Sequence, residues 1–126
     1  MKLSVGNDLI ETSRVLETYQ KFGDKFLEKI FSQDERNYCL IHKNPAPYLA
    51  ARFACKEAFI KALDLKKGQT VDFREIELAG TEFGKKNLKL TGKALALFEH
   101  SGYSRFTVSV THTENYASAV VILYGE

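Results

Sequence analysis

From Pro47 to about Leu65 the chain reads as one long helix, and its side chains leave few ways to fold around it. At about 100° per residue, Leu49, Phe53, Ile60 and Leu63 fall within about 80° of arc, as a core-facing stripe does. Ala50, Ala54, Ala58 and Ala62 recur every fourth position on the opposite side, where a second element can approach closely. The helix is therefore expected to be covered on two faces, which is hard to build within one chain from so few strands. Arg52 and Glu57 project from the flanks, Lys61 stands at the edge of the alanine side, and Lys56 lies inside the apolar arc. Burying such charges costs several kcal/mol each unless a partner or ligand meets them. An exposed Glu57–Lys61 pair, worth about 0.3 to 0.5 kcal/mol, is the plain alternative.

A length of 126 residues fits one domain, residues 1–126. A formal net charge of +2 arises from mixed signs, so no nucleic-acid partner is expected. Cys39 and Cys55 lack the spacing of a zinc or redox motif and read as reduced core thiols. With no signal-like start and no apolar run near 18 residues, the expectation is a cytoplasmic protein with no membrane partner.

Leu3 and Val5 alternate as a short strand that should stop in a turn at Gly6-Asn7-Asp8, leaving Asp8 at a strand end. Two short helices follow, one from about Glu11 to Phe22 and one holding Phe26, Leu27, Ile30 and Phe31. Ser32-Gln33-Asp34-Glu35 has the form of a capping box opening a third. Beyond the long helix, Val71, Phe73, Ile76 and Leu78 alternate with one irregular step, Gly80 to Asn87 is turn-rich, Leu88 and Leu90 suggest a strand, and Gly92–Phe98 a short helix. Phe106, Val108 and Val110 alternate strictly, and Glu114-Asn115 marks a hairpin into the strand formers of Tyr116–Tyr124. His112 continues the Phe106 face, either as a satisfied core histidine or as a functional one. Helices early and strands late argue for an α+β domain.

Asp8 and Glu57 are the carboxylates hardest to keep unpaired, and a shared hard cation such as Mg²⁺ would solve that; alternatively Asp8 caps the next helix. Arg52, Lys61 and His112 can donate to phosphate oxygens. Arg14, Lys21, Lys25 and Lys29 form a second basic group, either a solvated face or a surface for an acidic protein.

Three segments, Val5–Arg14, Tyr48–Ala62 with its Lys56-Glu57-Ala58-Phe59 core and Lys61, and Val108–Thr113, together resemble the bacterial holo-acyl carrier protein synthases, the small 4′-phosphopantetheinyl transferases. The resemblance implies a small antiparallel or mixed sheet packed on a long central helix, with short helices before it. It also implies transfer of the phosphopantetheine arm of coenzyme A to a serine of apo-acyl carrier protein, releasing adenosine 3′,5′-bisphosphate, in fatty acid biosynthesis. Carried over by position, Asp8 and Glu57 hold Mg²⁺ against the coenzyme A pyrophosphate and act catalytically with Lys61. Arg52, Lys61 and His112 contact the phosphates, and Arg14, Lys21 and Lys25 dock the acidic carrier. The base for the serine is a metal-associated water or Glu57. The assembly implied is a homotrimer with active sites at subunit boundaries.

Asn7 stands where relatives usually carry an apolar residue, and Gly84-Lys85-Lys86 replaces a common Gly-Lys-Pro turn. Two other readings remain: a non-catalytic module that holds an acidic partner, and a transferase for carrier domains of polyketide or peptide synthases. The short length favours the fatty-acid type, since the broad-specificity relatives resemble two fused copies.

Overall fold

The computed structural model describes residues 1–80 and 85–126. Strand β1 (Lys2–Glu11) pairs antiparallel along its whole length with β5 (Tyr116–Gly125), which pairs on its other side with β4 (Arg105–His112). The sheet order is β1-β5-β4. Helices α1 (Thr12–Phe22), α2 (Asp24–Ile30) and α3 (Gln33–Leu40) lead into the long α4 (Ala46–Leu63), whose first turn holds Pro47. A small second sheet pairs β2 (Ile76–Ala79) with β3 (Asn87–Leu90), and α5 (Gly92–Glu99) follows it. Among the described residues no helix is long and apolar enough to cross a membrane.

The expected turn at Gly6-Asn7-Asp8 does not occur. The strand runs straight through it, because ten consecutive residues pair with β5 and that ladder overrides the local turn tendency. Asp8 is therefore in the body of β1, opposite Ala119. Gly6 is used for closeness: a Cβ there would overlap the Ala58 carbonyl oxygen and stand 2.7 Å from the Ala62 nitrogen. Ala58 and Ala62 are the α4 side of the same contact, and the Ser4 hydroxyl donates to the Ala62 carbonyl at 2.6 Å. The alanine row thus admits the sheet, as its spacing suggests.

Close packing also reassigns the apolar arc. Phe53 and Ile60 are only half-buried and share the open side of α4 with Glu57 and Lys61, whereas the four alanines are fully enclosed. The sheet side, where backbone approaches backbone, takes the role that the larger residues were expected to fill. Both faces of α4 are covered within a single chain, contrary to expectation: the sheet covers one, and α1, α3 and β2 the other. The irregular step after Val71 is a 3-10 turn over Phe73–Glu75, capped by Asp72, and the strand begins only at Ile76.

Lys56 receives an explanation here that spacing does not supply. It is wholly buried, and its ammonium donates to Glu35 Oε1 at 2.7 Å and to the carbonyls of Phe73 and Ile76 at 2.9 and 2.6 Å. Glu35 is the N3 residue of the Ser32 capping box, and its other oxygen accepts the Leu78 N–H at 3.1 Å. One ion pair thereby joins α3, α4 and the start of β2. Cys39 and Cys55 are buried free thiols, and burial pushes them up to about 11 and about 12, which leaves them unreactive at neutral pH.

Residues 81–84 of the turn-rich stretch, including Gly84 of Gly84-Lys85-Lys86, lie outside the described residues. Replacing Gly6 by alanine is expected to cost about 3 kcal/mol or more, since the added methyl meets α4 backbone at both Ala58 and Ala62. Urea denaturation of the variant measures this, and an unchanged midpoint would contradict the packing described.

Candidate active site

Asp8 and Glu57 reach one another through the Gly6 contact. Even-numbered residues of β1 face α4, so Asp8 points to the helix side of the sheet, one turn from where Gly6 touches Ala58. Both carboxylates line a cleft of about 390 Å³ between β1, α1, α2 and α4. Arg14 and Thr18 line it too, and Ile10, Val15, Phe26 and Phe53 give it an apolar end.

Lys61 does not pair along the helix with Glu57. Its ammonium crosses to β1 instead, donating to Asp8 Oδ1 and to the Asn7 carbonyl, each at 3.1 Å. Its side chain is 54% exposed and that of Asp8 18%, so this pair contributes little stability, but it holds a lysine at the cleft edge with one donor uncommitted among the described residues. Glu57 is half-buried, and its carboxyl is pushed above the usual range, first by burial and then by the charge of Asp8; Lys61 opposes this in part. The two carboxylates share one cleft, and the repulsion between them is what a bound cation could relieve.

Arg52 and His112 do not line this cleft. Arg52 is 4% exposed, its guanidinium carbon lies 4.3 Å from the centre of the Tyr38 ring, and its Nε has no hydrogen-bond partner among the described residues. His112 is exposed, not a core histidine, and its ring meets Tyr48 edge-on at 5.1 Å. It belongs to a second, shallow cavity lined by His42, Lys43, Asn44, Pro47, Tyr48, Thr113 and Glu114. Of the three residues expected to contact phosphates, then, only Lys61 stands beside the carboxylates. Arg14, Lys21 and Lys25 are all exposed on α1 and α2, with Arg14 at the cleft itself. Spacing alone did not bring out Glu35, Tyr38, Phe26 or the His42–Tyr48 stack; a lysine inside an apolar arc was the one available signal, since it demands an acidic partner somewhere.

Residues 4–121 match the family model of the 4′-phosphopantetheinyl transferase superfamily, and the chain belongs to that family. It is 53% identical over 124 residues to the holo-[acyl-carrier-protein] synthase of Leptospira biflexa, covering 98% of each chain. With that of Thermodesulfovibrio yellowstonii it shares 40% identity, across 94% of this chain and 96% of the other. Among solved structures it resembles the Chronobacterium ammoniagenes ACPS-CoA complex with a TM-score of 0.85 and 32% identity, over 100% of this chain and 99% of that one. The holo-[acyl-carrier-protein] synthase from Neisseria meningitidis also scores 0.85, at 30% identity over 97% and 98%.

The raised Glu57 pKa has a testable sign. A carboxyl that binds its proton more tightly when folded contributes stability below its usual value of 4.5, and that contribution is lost as pH rises through the folded value. In buffer free of divalent cations, Glu57→Gln is therefore expected to raise Tm at pH 7, with the gain shrinking as pH falls through the raised folded value and gone below about 4.5. Thermal melts across this range measure it; a lower Tm at pH 7 would contradict the electrostatics.

Proposed function

We propose that this chain transfers the 4′-phosphopantetheine group of coenzyme A to a serine hydroxyl of apo-acyl carrier protein, releasing adenosine 3′,5′-bisphosphate, and serves fatty acid biosynthesis in the cytoplasm. The observation that carries this reading is the shared cleft of Asp8, Glu57 and Arg14, with Lys61 held at its edge. Residues 1–126 act as one catalytic domain.

Asp8 and Glu57 suit Mg²⁺, which commonly takes one or two protein carboxylates and fills its remaining positions with water and substrate phosphate oxygens. Among the described residues no group of three or more His, Cys, Asp or Glu side chains forms a full cage, so water and substrate oxygens would have to complete the ion's shell. Held by Asp8 and Glu57, the ion would supply positive charge to offset the negative charge that develops on phosphate oxygens. The protein's own residues do the rest. Lys61, fixed by Asp8 and the Asn7 carbonyl, turns its remaining donor to the departing phosphate. Glu57, or a water held beside the ion, would accept the serine proton as the serine oxygen attacks the β-phosphorus. Arg14, Lys21 and Lys25 guide an acidic carrier so that its serine enters beside the carboxylates.

Arg52 and His112 stand apart from that cleft in the same chain, and a site shared between chains accounts for the separation. The face of the main sheet turned away from α4 carries Leu3, Val5, Leu9, Tyr116 and Val120, exposed by 57, 54, 67, 50 and 38%. Such an apolar sheet face, broken by Asn7, suits association into a homotrimer in which one chain supplies the carboxylates and its neighbour the phosphate-binding cations.

Incubation with apo-acyl carrier protein, coenzyme A and Mg²⁺ is expected to add one phosphopantetheine to the carrier by mass spectrometry, and Glu57→Gln to slow this about 100-fold or more. Near-normal transfer by that variant at saturating Mg²⁺ would remove Glu57 from the mechanism. Carrier binding without any mass gain would favour the non-catalytic reading. Light scattering is expected to give a trimer for the native chain and smaller species for Val5→Lys; a native monomer would count against shared sites.

A further inference from the structure

Arg52 is held in an unusual way for a buried cation. Its residue is 4% exposed, Nε is unpartnered, and no carboxylate lies within ion-pair distance of it among the described residues. What it has is the Tyr38 ring at 4.3 Å. A ring face attracts a guanidinium without cancelling its charge, whereas a carboxylate would neutralise it. The N–H donors on the rim of a stacked guanidinium also stay available for an anion.

Tyr38 is also the meeting point of the groups around it. Lys86 Nζ lies 5.7 Å from the same ring centre, and the ring packs edge-on against His42 at 5.0 Å and Tyr48 at 6.0 Å. Tyr48 is stacked on His42 at 3.5 Å and meets His112 at 5.1 Å. Glu35, Tyr38 and His42 of the α3 segment face Lys56, Arg52 and Tyr48 of α4 as three successive rungs. The first rung is an ion pair, the second a cation on a ring, and the third a ring on a ring. Among the described residues only the second leaves a full positive charge unspent.

We propose that Tyr38 is a positioning residue for the phosphate-bearing nucleotide half of coenzyme A. It touches no substrate atom; it sets the orientation of the Arg52 guanidinium and supports the Tyr48–His112 edge beside it. This rests on the reading that Arg52 and His112 contact the phosphates of coenzyme A.

The test is calorimetric titration with adenosine 3′,5′-bisphosphate alongside steady-state kinetics for Tyr38→Leu, Tyr38→Phe and Arg52→Gln. Tyr38→Leu is expected to weaken nucleotide binding about tenfold and to raise KM for coenzyme A by a similar factor. Its kcat and its KM for the carrier should stay within about twofold of native, and Tyr38→Phe should restore nucleotide binding. A purely structural role would lower kcat and Tm without this split, which would overturn the proposal. If Tyr38→Leu does not fold, a fluorinated phenylalanine at position 38 keeps the ring's shape while weakening its face, and undiminished nucleotide affinity would then refute it. Loss of affinity in Arg52→Gln but not in Tyr38→Leu would defeat the role of Tyr38 alone. Unchanged affinity in Arg52→Gln would instead defeat the assignment of Arg52 to phosphate.

Discussion

Everything in the site follows from how closely β1 lies on α4. A glycine on the strand and alanines on the helix let backbone meet backbone, and no larger side chain fits between Gly6 and Ala58. Two residues further along β1, Asp8 stands at the height of the helix turn that carries Glu57 and Lys61. Had the interface been built from leucines, the axis of α4 would sit farther from the sheet and the Lys61 ammonium would not reach both Asp8 and the Asn7 carbonyl. Packing distance, usually a matter of stability, here sets the spacing of a charged triad.

The long helix handles its four charged side chains in four different ways. Lys56 is neutralised by Glu35 and saturated by two carbonyls, which is a structural use. Arg52 is stacked on a ring and keeps its charge. Lys61 is at the surface and bridges to the strand. Glu57 is held near another carboxylate and protonates more readily than usual. On the proposed function the last three are the ones with something to offer a phosphorylated ligand, so that the four charges divide, in three dimensions, into one scaffold residue and three candidates for the site.

Much of this was legible in the order of residues. The Ser32 capping box, the Pro47 start of α4, the Phe106 hairpin and the alanine row each rest on local rules, and each is found where those rules place it. Gly6-Asn7-Asp8 was misread because a glycine before two polar residues signals a turn equally well whether its missing Cβ serves a bend or a close contact; only the partner helix decides. Phe53 and Ile60 were misplaced because periodicity identifies a face but not which of two faces is packed harder. The family motifs marked Asp8, Glu57 and Lys61 as a group, and the cleft brings them together. Nothing in the spacing of Glu35 and Lys56, or of Tyr38 and Arg52, foretells contacts that depend on α3 lying alongside α4.

The Glu35–Lys56 pair also depends on a segment well beyond it in sequence. Both charges lie in the first half of the chain, yet the ammonium and carboxylate are completed only by the Phe73 and Ile76 carbonyls and the Leu78 N–H. Without residues 73–78, stripping water from the pair leaves donors and acceptors unmet, at a cost that opposes its burial. The buried lysine thus works as a latch between distant parts of the chain: a substitution in residues 73–78 that withdraws a carbonyl or the Leu78 N–H would be felt at the junction of α3 with the helix bearing Glu57.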